Sequence, residues 1–321
     1  MNRITRALTG AALTALALVF PGAAEAAGLT WTIYHPQGNG ASLAAIDARS
    51  ANDVWTVGLK LGGGVCQYET LVEHWDGSSW MVTPSADVTA ANTTLADVAA
   101  IGPSDVWAVG RSSCPGIRPA RTLAEHWNGT AWSIVPTPNP SPEFDTLSAV
   151  AAVSSTDVWA IGSIVQSGTG SGLAMHWDGA GWAVVPMPPV TSSDEPVDAS
   201  ASGPADVWAV GSGPSEGSDQ PIALHWNGGQ WSSIPVPTPQ GAHGFLSGVT
   251  AISPTNAWAV GGYRPSGSTL QPLIERWNGS AWRVVAAPNV GDYAALEAVD
   301  HAAGVHPQRT QPGGLPRFPQ P

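Results

Sequence analysis

The chain has 321 residues, with 12 Lys and Arg against 24 Asp and Glu and a formal net charge of −12. Hydrophobic residues make up 43% of it, enough for a packed core and too many for a disordered chain. Lys60 is its single lysine, and no basic run is present that would neutralise a row of phosphates, which argues against nucleic-acid binding.

Residues 1–26 read as a secretory signal peptide. Arg3 and Arg6 form a positive start, Ala7 to Phe20 is an apolar run broken by Thr9, Gly10 and Thr14, and Pro21 follows. Ala24-Glu25-Ala26 has the small-x-small pattern of a cleavage site, placing the cut before Ala27. The run is short for a membrane span and no second apolar stretch of spanning length follows. An uncleaved anchor is the alternative. Cleavage leaves the chain one charge more negative, and the expected product is acidic, secreted and monomeric, with no membrane span.

Residues 27–300 carry a repeat of about 50 residues, marked by sixteen tryptophans. Trp31 opens Trp31-Thr-Ile-Tyr-His-Pro36, which matches the last strand of a unit. Five triplets follow: Trp55, Trp75 and Trp80; Trp107, Trp127 and Trp132; Trp159, Trp177 and Trp182; Trp208, Trp226 and Trp231; Trp258, Trp277 and Trp282. These fifteen are assigned to the core of the repeat. Each unit has four parts. The first is a segment of small and apolar residues, such as Leu95-Ala-Asp-Val-Ala-Ala-Ile101. A polar turn such as Gly102-Pro-Ser-Asp105 leads into Val-Trp-x-Val/Ile-Gly, ending at Gly58, Gly110, Gly162, Gly211 and Gly261. Next comes a segment like Leu123-Ala-Glu-His-Trp127, and then, after Asp-Gly or Asn-Gly, a segment like Trp132-Ser-Ile-Val-Pro136. Asn-Gly between two β-prone runs is a strong hairpin signal, because both residues accept positive φ at little cost. A four-residue turn would set Trp75 opposite Trp80.

Four short strands per unit, with no helical period, predict an all-β fold: a β-propeller of four-stranded blades of about 50 residues, five complete, with a sixth, incomplete closing blade. Leu296-Glu-Ala-Val299 matches a first strand, and pairing it in one blade with the Trp31 strand would close the ring. A solenoid is the structural rival. Residues 301–321 leave the pattern, with Gln308 where the grid expects a tryptophan, and read as a disordered tail.

The Asp-Val-Trp-Ala-Val-Gly and His-Trp-Asn-Gly-x-x-Trp repeats, covering residues 43 to 288, resemble those of secreted propeller proteins of high-GC actinobacteria. They are also similar to kelch repeats and the galactose-oxidase type of propeller, although only Gly261-Gly262 carries the kelch glycine pair. The resemblance implies a fold and carries over no catalytic residue.

His74, His126, His176 and His225 recur once per unit, with Arg276 in the fifth. Equivalent positions on separate blades do not converge on one ion, so they are read as bonding within their own blades, and neither metal nor cofactor is predicted. Asp53, Asp105, Asp157, Asp206 and Asn256 are expected to bond the backbone of the turn they close. Glu73, Glu125 and Glu275 share a column with Met175 and Leu224, so they form no constant acid array. Cys66 and Cys114 lie in equivalent loops of the first two units; a disulfide is the leading reading and two free thiols the alternative. The loops between second and third strands, and those joining units, differ most from copy to copy. Their Tyr68, Arg111, Arg118, Arg121, Asp145, Asp194, Asp219 and Arg264 are the candidate ligand-binding residues. The expected activity is non-catalytic binding of an extracellular protein or polysaccharide; the alternative is an exported glycan hydrolase or lyase, for which no position selects a carboxylate pair.

Overall fold

The computed structural model describes residues 36–300 apart from 64–65, 89–90, 115, 117, 189–194, 216–217, 266–268 and 288–293. The signal segment 1–26, the Trp31 strand up to residue 35 and the tail 301–321 lie outside the described residues.

The repeat becomes five four-stranded antiparallel units, each a simple meander. The first comprises β1 (Ser42–Ser50), β2 (Asp53–Leu61), β3 (Tyr68–Trp75) and β4 (Trp80–Val82). The second comprises β5 (Asn92–Gly102), β6 (Asp105–Cys114), β7 (Arg118–Trp127) and β8 (Trp132–Ile134). The third comprises β9 (Phe144–Ser154), β10 (Asp157–Gln166), β11 (Thr169–Trp177) and β12 (Trp182–Val185). In the fourth are β13 (Glu195–Gly203), β14 (Asp206–Ser215), β15 (Ser218–Trp226) and β16 (Trp231–Ser233). In the fifth are β17 (His243–Ser253), β18 (Asn256–Arg264), β19 (Gln271–Trp277) and β20 (Trp282–Val284). One 3-10 turn, Pro239–Gly241, is the helical element among the described residues. A parallel bridge between Ala120 of β7 and Phe144 of β9 links the second and third units, and no sheet closes on itself among the described residues.

First strands of successive units pack on one another, β1 with β5, β5 with β9, β9 with β13 and β13 with β17. Backbone amides reinforce these contacts: Ala100 N–H donates to Asp47, Val150 N–H to Asp97 and Val249 N–H to Asp198. The short fourth strands lie at the opposite edge of each unit.

The glycine ending each Val-Trp-x-Val-Gly strand has a steric reason. A Cβ on Gly110 would sit 2.0 Å from the Thr94 carbonyl oxygen, where β5 bulges between Leu95 and Asp97. Gly58, Gly162, Gly211 and Gly261 stand against the same obstacle at 2.0–2.1 Å. The Asp-Gly and Asn-Gly hairpins form as the sequence predicts: Trp75 pairs with Trp80, and the other four pairs repeat the register. Gly77 adopts φ 97° in this turn, and Asp76 accepts from the N–H groups of Ser78 and Ser79.

The three tryptophans of a unit do three different things. Trp55, Trp107, Trp159 and Trp208 are at most 2% exposed and form the floor of each interface between units. Trp127 and Trp132 of the next unit close over Trp55, at ring separations of 5.3 and 5.5 Å, and the arrangement repeats up to Trp277 and Trp282 over Trp208. Each such aromatic pair adds about 0.5–1.5 kcal/mol beyond area burial. The buried indole N–H groups of Trp132, Trp182, Trp231 and Trp282 have no oxygen partner, but each ring meets its neighbour edge-on at 79–89°. A π face is the acceptor such a geometry offers. Trp75, Trp127, Trp177, Trp226 and Trp277 donate instead to a carbonyl in the turn between first and second strands, at 3.0–3.2 Å.

Leu296 and Val299 pack on Val260, Ile274 and Trp258 of the fifth unit, as Leu95 packs on the first, and Leu296 N–H donates to Gly261 O at 3.0 Å. Residues 294–300 are nevertheless not a strand. The segment sits where a first strand belongs without a second strand beside it among the described residues.

Candidate functional site

In an antiparallel meander the loops from second to third strand, and those from fourth strand to the next unit, emerge at the same end of every sheet. Seven of the eight sequence-predicted ligand residues map to that end. Tyr68 is exposed at the start of β3, its N–H held by Asn92 Oδ1 at 3.0 Å, and Arg111 and Arg264 are exposed on β6 and β18. Cys66 and Cys114 are disulfide-bonded, with Cα atoms 5.7 Å apart, tying the first two loops of this end together. Arg118 and Asp219 lie in β7 and β15 with side chains outside the description, and Asp194 lies outside the described residues.

Arg121 and Asp145 depart from the expectation of two ligand-facing groups. Asp145 is wholly buried and paired to Arg121 at 3.0 Å, and it accepts the Ser141 N–H as well. The same guanidinium donates to the carbonyls of Ser141 and Pro142. The two residues therefore clamp the second unit to the third. Burial pushes the Asp145 carboxyl up, against the pull of Ser141 and Arg121. Glu143 is occupied too, accepting from the N–H groups of Ser167 and Gly168.

The repeated histidines and aspartates, read separately in the sequence, are partners. His74 Nε2 meets Asp53 Oδ1 at 2.8 Å, and His126–Asp105, His176–Asp157 and His225–Asp206 repeat the bond at 2.7–2.8 Å. Each imidazole also lies 4.1–4.5 Å from the first tryptophan of its unit. These carboxylates bond their histidines instead of the turn backbone, which corrects the expectation for Asp53 and its equivalents. Burial works to raise Asp53 and Asp206, but bonds from His74 and Arg49, and from His225 and Ser202, outweigh it and hold both below the ordinary range. In the fifth unit both members change together: Arg276 donates to Asn256 at 3.3 Å and stands over Trp258 at 5.3 Å. That joint replacement is a signal the sequence contains. No group of three or more His, Cys, Asp or Glu able to hold a metal occurs among the described residues, and no helix there is long and apolar enough to cross a membrane.

The buried glutamates follow a rule that only the structure reveals. Glu73 accepts the Gln37 N–H at 2.7 Å, and Glu125 the Ala86 N–H at 3.1 Å. Ala86 lies six residues after Trp80, in the connection to the next unit. At the same offset the later connections carry Pro138, Pro188 and Pro237, which have no N–H to give. The next units answer Pro138 with Met175 and Pro188 with Leu224, both fully buried. Pro237 is answered by Glu275, fully buried, neither of whose carboxyl oxygens finds a partner among the described residues. Burial alone pushes the Glu275 carboxyl up to about 8, and burial does the same at Glu125 in spite of the Ala86 bond.

No family model matches this chain, and no curated protein does. Solved structures do. The chain is similar to the six-bladed β-propeller lectin of Aleuria aurantia, which recognises fucose, at 14% identity and TM-score 0.50, over 82% of this chain and 80% of that one. It is similar to a polysaccharide lyase, ulvan lyase, at 10% identity and TM-score 0.51, over 73% and 67%. A weaker likeness, TM-score 0.41 at 15% identity, is to YCF48 bound to a D1 peptide; this chain covers 63% of its length. The likeness is to β-propellers as a class, and nothing in it singles out the kelch type.

Proposed function

We propose that this chain is an exported, non-catalytic β-propeller on a six-unit plan that binds an extracellular polysaccharide or protein through its loop end. The observation that carries the reading is a division of labour. Inside the units the recurring histidines and aspartates are spent on one another and on the tryptophans. At the loop end, exposed Tyr68, Arg111 and Arg264 differ from copy to copy on a scaffold held by the Cys66–Cys114 bridge. Variable side chains on a rigid frame are the usual seat of binding specificity. A lectin and a polysaccharide lyase on the same fold make a glycan the first ligand class to try. The apolar run and Ala24-Glu25-Ala26 support export.

A second reading, an exported glycan hydrolase or lyase, has in its favour the likeness to ulvan lyase at TM-score 0.51. A glycan array followed by a reducing-end assay on the ligands retained decides between the two. Binding without turnover, lost in a Tyr68→Ala/Arg111→Ala/Arg264→Ala variant that melts like the parent, is the expected result. Turnover refutes the non-catalytic reading. N-terminal sequencing of protein recovered from the medium should begin at Ala27.

A further inference from the structure

The five hairpin corners between third and fourth strands share one shape. Each begins with Asp or Asn and continues with a glycine at φ 90–97°. At Asp76, Asn128, Asp178, Asn227 and Asn278 alike, the side-chain Oδ1 accepts the N–H groups of the second and third residues further on, at 2.8–3.0 Å. A hydroxyl adds a third donor to two of the asparagines: Thr130 to Asn128 at 2.7 Å and Ser280 to Asn278 at 2.9 Å. At Asn227 the same place is taken by Gly229, which has no side chain to give.

Three of these corners are Asn-Gly, where no Cβ hinders the glycine nitrogen from attacking the preceding side-chain amide. Attack by Gly129 N on Asn128 Cγ forms the C–N bond of a cyclic imide and drives the carbonyl electron pair onto Oδ1. That oxygen already faces Thr130 N–H, Ala131 N–H and the Thr130 hydroxyl at 2.7–3.0 Å. Donors set at about 2.7–3.1 Å from an oxygen that gains charge are the elements of an oxyanion hole. Asn128 and Gly129 are exposed, and neither the Gly129 N–H nor the Asn128 Nδ2 makes a hydrogen bond among the described residues. As the Cγ–Nδ2 bond breaks, ammonia leaves with the proton given up by the glycine N–H and relayed by water. Water then adds to either imide carbonyl and opens the ring to Asp or isoaspartate. One water is consumed and one ammonia released. The aspartyl product suits the fold, because Asp76 and Asp178 make the same two N–H bonds in the first and third units.

We propose that Asn128 and Asn278 are self-activated deamidation sites, their side-chain carbonyls polarised by the hairpin's own N–H and hydroxyl donors. Asn227, with two donors instead of three, is the slower third site. The chain carries its own control in Asn39-Gly40, which is exposed and whose side-chain amide makes no hydrogen bond among the described residues. Each conversion adds one negative charge to the hairpin end of the units, the end opposite the variable loops, so the proposal is independent of the ligand reading above.

Peptide mass spectrometry on the full chain, incubated at pH 8 both folded and in urea, tests the proposal by following amide-to-acid conversion at each asparagine. Dividing the folded rate by the rate in urea removes the effect of local sequence. That ratio should exceed one several-fold at Asn128 and Asn278, be smaller at Asn227 and not exceed one at Asn39. Ser280→Ala gives the fifth corner the alanine that the third already has in Ala180. It should lower the Asn278 ratio to that of Asn227 and leave Asn128 unchanged, and an unchanged Asn128 also reports that the variant is folded. Ratios at or below one at Asn128 and Asn278 overturn the proposal, since the turn then protects the amide. A ratio at Asn39 as high as theirs overturns it as well, and so does an Asn278 ratio that Ser280→Ala leaves unmoved.

Discussion

Replacing Glu275 should stabilise the protein, and by more as the pH rises. In the unfolded chain this carboxyl titrates at its ordinary 4.5; in the fold, burial holds it at about 8. Below 4.5 it is protonated in both states and costs nothing electrostatic. Between 4.5 and 8 the unfolded state releases its proton while the folded state keeps it, so stability falls steadily across that window and levels off above it. The full linkage penalty at pH 8 is at most about 4–5 kcal/mol, and relaxation of the surroundings brings a working figure of about 2–3 kcal/mol. The chain supplies its own control residue, because the third unit has Met175 in this position opposite Pro138. Glu275→Met should therefore raise Tm at pH 8 by roughly 3–5 °C for a chain of this size, and the pH-dependent part of the gain should be gone at pH 4. Pro237→Ala, which creates the N–H that Ala86 provides to Glu125, should recover part of the same gain, and the two changes should be less than additive. Thermal and urea denaturation of the four proteins at both pH values suffices. A gain from Glu275→Met that is equal at pH 4 and pH 8, or absent, would refute the reasoning.

Reducing the Cys66–Cys114 bridge, which spans 48 residues, should cost about 4 kcal/mol by loop entropy, read as a lower urea midpoint in reductant. Gly110→Ala should destabilise by about 2–4 kcal/mol, since its Cβ would meet the Thr94 carbonyl oxygen at 2.0 Å and backbone must move. His126→Leu should cost about 1–3 kcal/mol by leaving Asp105 without its imidazole partner. Adding Asp105→Asn should restore part of that loss, because a neutral amide is less costly to leave without that partner than a carboxylate; a strictly additive double variant in a denaturation cycle would refute the pairing. Ala86→Pro should impose on Glu125 the situation of Glu275, with a loss of stability larger at pH 8 than at pH 4.

Much of the architecture was legible because it is periodic. Asn-Gly and Asp-Gly turns set the hairpins, and the pairing of Trp75 with Trp80 follows from counting residues across a four-residue turn. The site was far less legible. Asp145 and Arg121 look like loop-end ligand groups in the sequence, yet they turn inward, because the second-to-third connection brings a buried carboxylate beside the guanidinium of the preceding unit. The histidine and aspartate columns were visible but not their union, which depends on the register that puts Trp107 opposite His126 and so places Asp105 at the imidazole's edge.

By itself the order of residues determined the strands, the turns and the number of four-stranded units, since each is set by contacts within about 50 residues. What only the tertiary structure decided are the relations between units: which tryptophan faces which, that Gln37 and Ala86 serve glutamates in the following unit, and that Glu275 is left opposite a proline. Those contacts join residues from different repeats, where a periodic sequence offers every copy as an equally good partner. The choice among copies is made by the packing of whole sheets against one another.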